Sequence, residues 1–160
     1  MLKQVQHDNR VLLLLFVIPD LIRDLGFWFR EFEFFKRGIV RKDKSMIRRN
    51  LEHPEVKATR YRAHGGGIAH MILDTRHLQT LMFLAHADVP PGEILIGHVD
   101  PMEEIYYIQT GQGRIQVGKE ICEVKPGDAV HIPIGQFHEL TNTGKEVMTV
   151  LVVAGLIPGQ

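Results

Sequence analysis

After Asn50 the chain breaks every eight to twelve residues at Gly, Pro or Asn, and the runs between are short and rich in β-branched and aromatic residues. That rhythm predicts an all-β domain of short strands, built as a sandwich or barrel. Strands are expected at Leu81–Asp88, Ile94–Asp100, Glu104–Gln109, Gly113–Val117, Glu120–Val124, Ala129–Pro133, His138–Asn142 and Val147–Val153. The turns between them are Pro90-Pro91-Gly92, Thr110-Gly111, Gly118-Lys119, Lys125-Pro126-Gly127-Asp128, Ile134-Gly135 and Thr143-Gly144. Any helix is confined to the chain before residue 60. Gly65-Gly66-Gly67 has two readings, a flexible lead-in loop or a backbone segment close to a ligand, and the first is favoured.

Composition divides the chain. Residues 1–50 carry eleven Lys/Arg and six Asp/Glu, a net of +5, whereas residues 51–160 carry eight and thirteen, a net of −5. Six of the eight Phe and the single Trp precede residue 36. The expected domains are therefore a 1–45 N-terminal extension and a 46–160 barrel. The apolar run Val11–Ile18 is too short for a membrane-spanning helix, which needs about twenty residues. It has the length of a signal-peptide core, yet no small-residue cleavage site follows it. Gly26–Lys44 suits an interfacial helix, a disordered arm or helices packed on the main domain. Met46 offers a further reading, that residues 1–45 are a mis-assigned gene start. The Arg41–Arg49 basic run reads as a solvated tail and not as a nucleic-acid arm. With zero overall charge, no nucleic-acid partner is expected. The one cysteine excludes an intrachain disulfide and a four-cysteine zinc site, and the expected location is cytoplasmic. No P-loop ending or GxSxG elbow is present. Cys122, in mid-strand, is expected to be a small buried residue.

The chemistry-bearing residues lie in the barrel region. His98 and Asp100 are two apart on an expected strand, so strand alternation places both on one face, with Ile96 and Ile94. Glu104 begins the next strand after a Pro-containing bend, and His138 arrives from a distant strand. Two imidazoles and two carboxylates suit a divalent metal.

The frame around these residues resembles a known family. Gly92-x5-His98-x-Asp100-x3-Glu104-x6-Gly111 is similar to the first cupin motif, and Gly127-x5-Pro133-x-Gly135-x2-His138-x3-Asn142 to the second. All ten positions match in spacing and nine in residue type. The resemblance implies a double-stranded β-helix (jelly-roll) barrel in a small single-domain cupin, with one divalent metal (Mn, Fe, Ni or Zn) held by His98, Asp100, Glu104 and His138. Asp100 is the departure, because the family usually has His there. Either it remains a ligand, or it acts on His98 from outside the coordination shell, or the metal is weakened or lost. Glu103 is a rival to Glu104, and the family spacing favours Glu104. Asn142 is expected to hold loop backbone.

Other residues are weighed beside these. Tyr106, His86 and Met102 are candidates for the pocket lining, while Phe83 and Phe137 are expected in ordinary core packing. His131 is free to face either way. His53, His64, His70 and His77 precede the expected strands and read as surface or edge residues. Three functions remain open: a metal-dependent isomerase, decarboxylase or dioxygenase acting on a small polar molecule, a non-catalytic small-molecule binding cupin with a degenerate site, or a purely structural dimer-forming barrel. A homodimer is expected, and the apolar strand Val147–Val153 with Ala154–Ile157 is one candidate for its interface.

Overall fold

The computed structural model describes residues 45–156. The expectations for the N-terminal run, the aromatic-basic stretch and the extension fall outside those residues, apart from Ser45 at its end. The first element is a single helical turn, α1 (Pro54–Lys57), where His53 Nδ1 accepts from the Glu55 N–H at 3.3 Å. Proline at the first helical position suits this start, because its missing N–H has no partner there anyway.

Ten strands follow: β1 (Tyr61–Ala63), β2 (Gly67–Asp74), β3 (Leu81–Val89), β4 (Ile94–Val99), β5 (Glu103–Thr110), β6 (Gly113–Val117), β7 (Glu120–Val124), β8 (Ala129–Ile132), β9 (Phe137–Asn142) and β10 (Met148–Gly155). They form a six-stranded sheet, β1-β2-β3-β10-β5-β8, and a four-stranded sheet, β4-β9-β6-β7. Every pairing between named strands is antiparallel. Eight strands match the expected ones to within two residues. β1 and β2 were not expected, and they extend the larger sheet.

The core lies where the inward faces of the two sheets meet. In β10, Met148, Val150, Val152 and Ala154 are buried, alternating with half-buried neighbours. Ile108 of β5, Ile115 of β6 and Leu140 of β9 are fully enclosed with them. Each such aliphatic side chain contributes about 1.5–3 kcal/mol on leaving water. β10 runs between β3 and β5. Both its edges are taken, so it has no free edge to pair with a strand of a second copy.

The three glycines are a pinned crossing and not a loose loop. They cross from the large sheet to β4, where Gly65 bridges Leu95 and the Gly66 N–H donates to Ile94 C=O at 3.0 Å. A Cβ on Gly66 would stand 2.6 Å from Ile94 O, and one on Gly67 2.5 Å from Leu95 Cδ2. Only glycine lets the two backbones approach this closely. Among the described residues no helix is long and apolar enough to cross a membrane.

Candidate metal centre

A β-bulge aims the first ligand candidate. The register of β4 against β9 shifts between Leu95 and His98. Simple alternation would have put His98 with Ile96 and Ile94. Instead Leu95 is 2% exposed and Ile96 58% exposed. The extra residue resets the parity, so that Leu95 and His98 both turn inward. His98 then pairs with His138 across the two strands, and their ring centroids are 4.1 Å apart. Glu104 enters from the opposite sheet, on the buried face of β5 with Tyr106 and Ile108. Asp100 lies just past β4, where its C=O accepts from the Gly135 N–H at 3.0 Å. That bond ties the first motif to the turn that delivers His138, and Gly135 (φ 72°) supplies the left-handed conformation there.

Each of His98, Asp100, Glu104 and His138 offers one donor atom, and these four atoms lie within 4.8 Å of one another. Around a cation at about 2.1 Å, donors stand about 3.0 Å apart when adjacent and about 4.2 Å when opposite. The cluster therefore has the dimensions of a coordination shell slightly relaxed.

The hydrogen bonding makes the stronger case. His98 Nδ1 lies 2.8 Å from Ile96 O, and His138 Nδ1 lies 3.1 Å from Gln136 O. A carbonyl only accepts, so each Nδ1 must carry the proton and donate. Each Nε2 then faces a carboxylate: His98 Nε2 is 3.3 Å from Asp100 Oδ2, and His138 Nε2 is 3.1 Å from Glu104 Oε2. A neutral imidazole would oppose two acceptors there. The buried atoms His98 Nε2, His138 Nε2 and Glu104 Oε2 have no hydrogen-bond partner. A cation between nitrogen and oxygen resolves each opposition. Two protons would charge two rings 4.1 Å apart, whereas one divalent ion serves all four groups and balances both carboxylates.

Titration follows the same geometry. Burial lifts Glu104 above the usual carboxylate range, against the pull of His138 and with help from the Asp100 charge. Burial also tends to lower His138, but the Glu104 carboxylate and Gln136 C=O outweigh it and raise the imidazole. Asp100 is held below its ordinary value, since the His98 contact and the three neighbouring imidazoles overcome its burial. Burial drives the Tyr106 phenol far upward, so it remains protonated. Its ring stands edge-on to His138 at 5.7 Å.

His64 was missed in the sequence reading. Read there as a surface or edge residue, it stacks on His98 with centroids 3.5 Å apart and planes 10° apart. Burial pushes its imidazole down to about 4, and the His98 and His138 charges add to this against the opposing pull of Asp100. The only local signal was a histidine directly ahead of three glycines that needed a close approach.

Other candidates fall elsewhere. His86 does not line the pocket: it alternates with core residues Ala85 and Ala87, so it occupies the outer face of β3 beside His70 of β2. Glu103 points outward, with His131 Nε2 at 2.7 Å from its carboxylate. Phe83 is buried as expected for core packing and Met102 is buried too, but Phe137 is 38% exposed and lies over Gly97. Cys122 is exposed, because β7 is an edge strand with only Val124 buried. Asn142, fully buried, donates to Val89 O and Glu146 O at 2.8 Å each and accepts from Gly144 N–H at 2.9 Å.

Residues 85–154 match the family model of the cupin domain. The match starts after β1, β2 and His64. A 69-residue stretch is 39% identical to an uncharacterised protein of Methanocaldococcus jannaschii and covers 42% of this chain. That stretch spans about half of the relative, 55% of its length. Among solved structures, a predicted oxalate decarboxylase of Thermotoga maritima has a TM-score of 0.61 at 26% identity, over 70% of this chain and 100% of that one. A Cupin 2 conserved barrel domain protein of Salinispora arenicola has a TM-score of 0.58 at 19% identity, over 70% and 90% of the two chains, a likeness of fold alone.

Proposed function

The chain belongs to the cupin superfamily, and from its site we propose that residues 46–160 form a metal-dependent enzyme for a small carboxylic acid. His98, Asp100, Glu104 and His138 would hold one divalent ion, and the acid would bind beside it in the barrel. The observation that carries this reading is the pair of Nε2 atoms, each facing a carboxylate with no proton of its own to share. Among isomerisation, dioxygenation and decarboxylation, decarboxylation has the support of a 26% identical neighbour described as a predicted oxalate decarboxylase.

When bound, the ion supplies a Lewis acid that polarises an oxygen of the substrate. The protein's own groups do the rest. The backbone carbonyls of Ile96 and Gln136 fix both imidazole tautomers. Tyr106, enclosed against His138, keeps water from that side of the ring. Asp100 supports a second reading: if His98 Nε2 carries a proton, the 3.3 Å contact holds it, and the barrel is a binding module without turnover.

The test is metal content by elemental mass spectrometry on the full chain, purified without chelator or polyhistidine tag, beside His138→Ala. About one equivalent in the wild type, lost in the variant, is expected, together with carbon dioxide release from oxalate. No metal after incubation with Mn, Fe, Ni and Zn overturns the metal reading. Metal without turnover of oxalate or other small carboxylic acids gives the lead to the binding module. We further propose a homodimer, supported by Ile105 and Tyr107, two large side chains exposed on the outer face of β5.

A further inference from the structure

We propose that His64 is a positioning residue for the metal centre, fixing the plane of His98 by face-to-face stacking. This rests on the reading of His98 as a ligand. The His98 ring is held on three sides: Ile96 O at its Nδ1, His138 at 4.1 Å, and His64 at 3.5 Å and nearly parallel. His64 is not one of the four residues whose donor atoms cluster, so its contribution is to hold a ring and not to bind the ion.

The backbone supplies an independent argument. His64 (φ 40°) is the one non-glycine residue with positive φ among the described residues. Three glycines follow it directly, any of which would take that conformation without strain. A side chain kept where glycine is cheaper marks a position whose side chain is used. The segment is also pinned on the ligand strand. The Ile96 N–H donates to His64 C=O at 2.7 Å, Gly66 N–H donates to Ile94 C=O, and Gly65 bridges Leu95. The same glycine crossing that brings the backbone to β4 delivers the His64 ring onto His98, the residue that the bulge turns inward.

The full chain, stripped of metal, tests this with His64→Gly and His64→Phe. Three quantities are read near pH 6.5: the Co²⁺ dissociation constant by calorimetry, the Co²⁺ visible spectrum, and the melting temperature of the chelated protein. In His64→Gly, relief of the strained φ offsets the lost contact, so the melting temperature stays within about 3 °C of wild type. Its Co²⁺ affinity falls about tenfold or more and its spectrum changes, as when the group orienting a metal-bound histidine is removed. His64→Phe restores a flat ring, and its affinity returns to within about threefold of wild type with the wild-type spectrum. Equal affinity in wild type and His64→Gly overturns the proposal while leaving the metal site standing. Equal losses in both variants also overturn it, and make His64 a ligand. A wild type that binds no Co²⁺ removes the metal reading and this one together.

Discussion

Acidification of the metal-free protein is expected to destabilise it through His64. The unfolded imidazole takes a proton as the pH falls through 6.5, whereas the folded one, driven down by burial, resists until about 4. Between those values the unfolded chain binds the extra proton, so stability falls with falling pH. Each pH unit is worth about 1.4 kcal/mol, so the full interval amounts to about 3 kcal/mol. His64→Phe keeps a ring on His98 but cannot titrate. Urea unfolding of chelated wild type and variant, followed by far-ultraviolet circular dichroism at pH 6.5, 5.5 and 4.5, isolates the effect. By pH 4.5 the wild type should have lost about 2–3 kcal/mol relative to the variant, a midpoint shift of roughly 1–2 M urea. Above pH 6.5 the opposite limb comes from His138, whose folded value is raised. Its stabilisation is complete below 6.5 and is lost as the pH rises through the raised value, and His64→Phe retains this limb because His138 is untouched. A difference between wild type and His64→Phe that stays constant from pH 6.5 to 4.5 would refute the argument.

Three further outcomes are expected. Asn142→Ala strands the buried Val89 carbonyl and removes the partner of the part-buried Glu146 carbonyl and Gly144 N–H, and should cost about 2–3 kcal/mol by urea unfolding; a loss under about 1 kcal/mol would mean that water replaces the amide. Gly66→Ala drives a methyl into the Ile94 backbone, and should cost more than about 2 kcal/mol and weaken Co²⁺ binding, because the segment carrying His64 must retreat. Light scattering of the full chain should give a dimer that Tyr107→Glu splits; a monomer at high concentration removes the homodimer.

The barrel was legible where glycine and proline mark its corners, and the spacing of the two motifs brought His98, Asp100, Glu104 and His138 to one place from four separate stretches. Parity worked on β5, whose regular pleat puts Glu104 and Tyr106 inside. It failed on β4, because a bulge has no residue type of its own and shows only in the partner strand's register. β1 and β2 were missed for related reasons. A register shift between Met71 and Leu73 breaks the alternation of β2 against β3. The turn that ends β2 is held by Asp74, whose Oδ1 accepts from the Arg76 N–H at 3.0 Å and whose C=O accepts from the His77 N–H at 2.8 Å, where no glycine or proline announces it. His64 was lost with those strands. Its contact with His98 joins distant parts of the chain and leaves no periodic trace in either. The two failures meet at one ring: the bulge turns His98 inward, and the glycine crossing lays His64 against it. Motif spacing thus identifies which residues converge, while the orientation of His98 depends on an inserted residue and a close backbone approach that the motif does not contain.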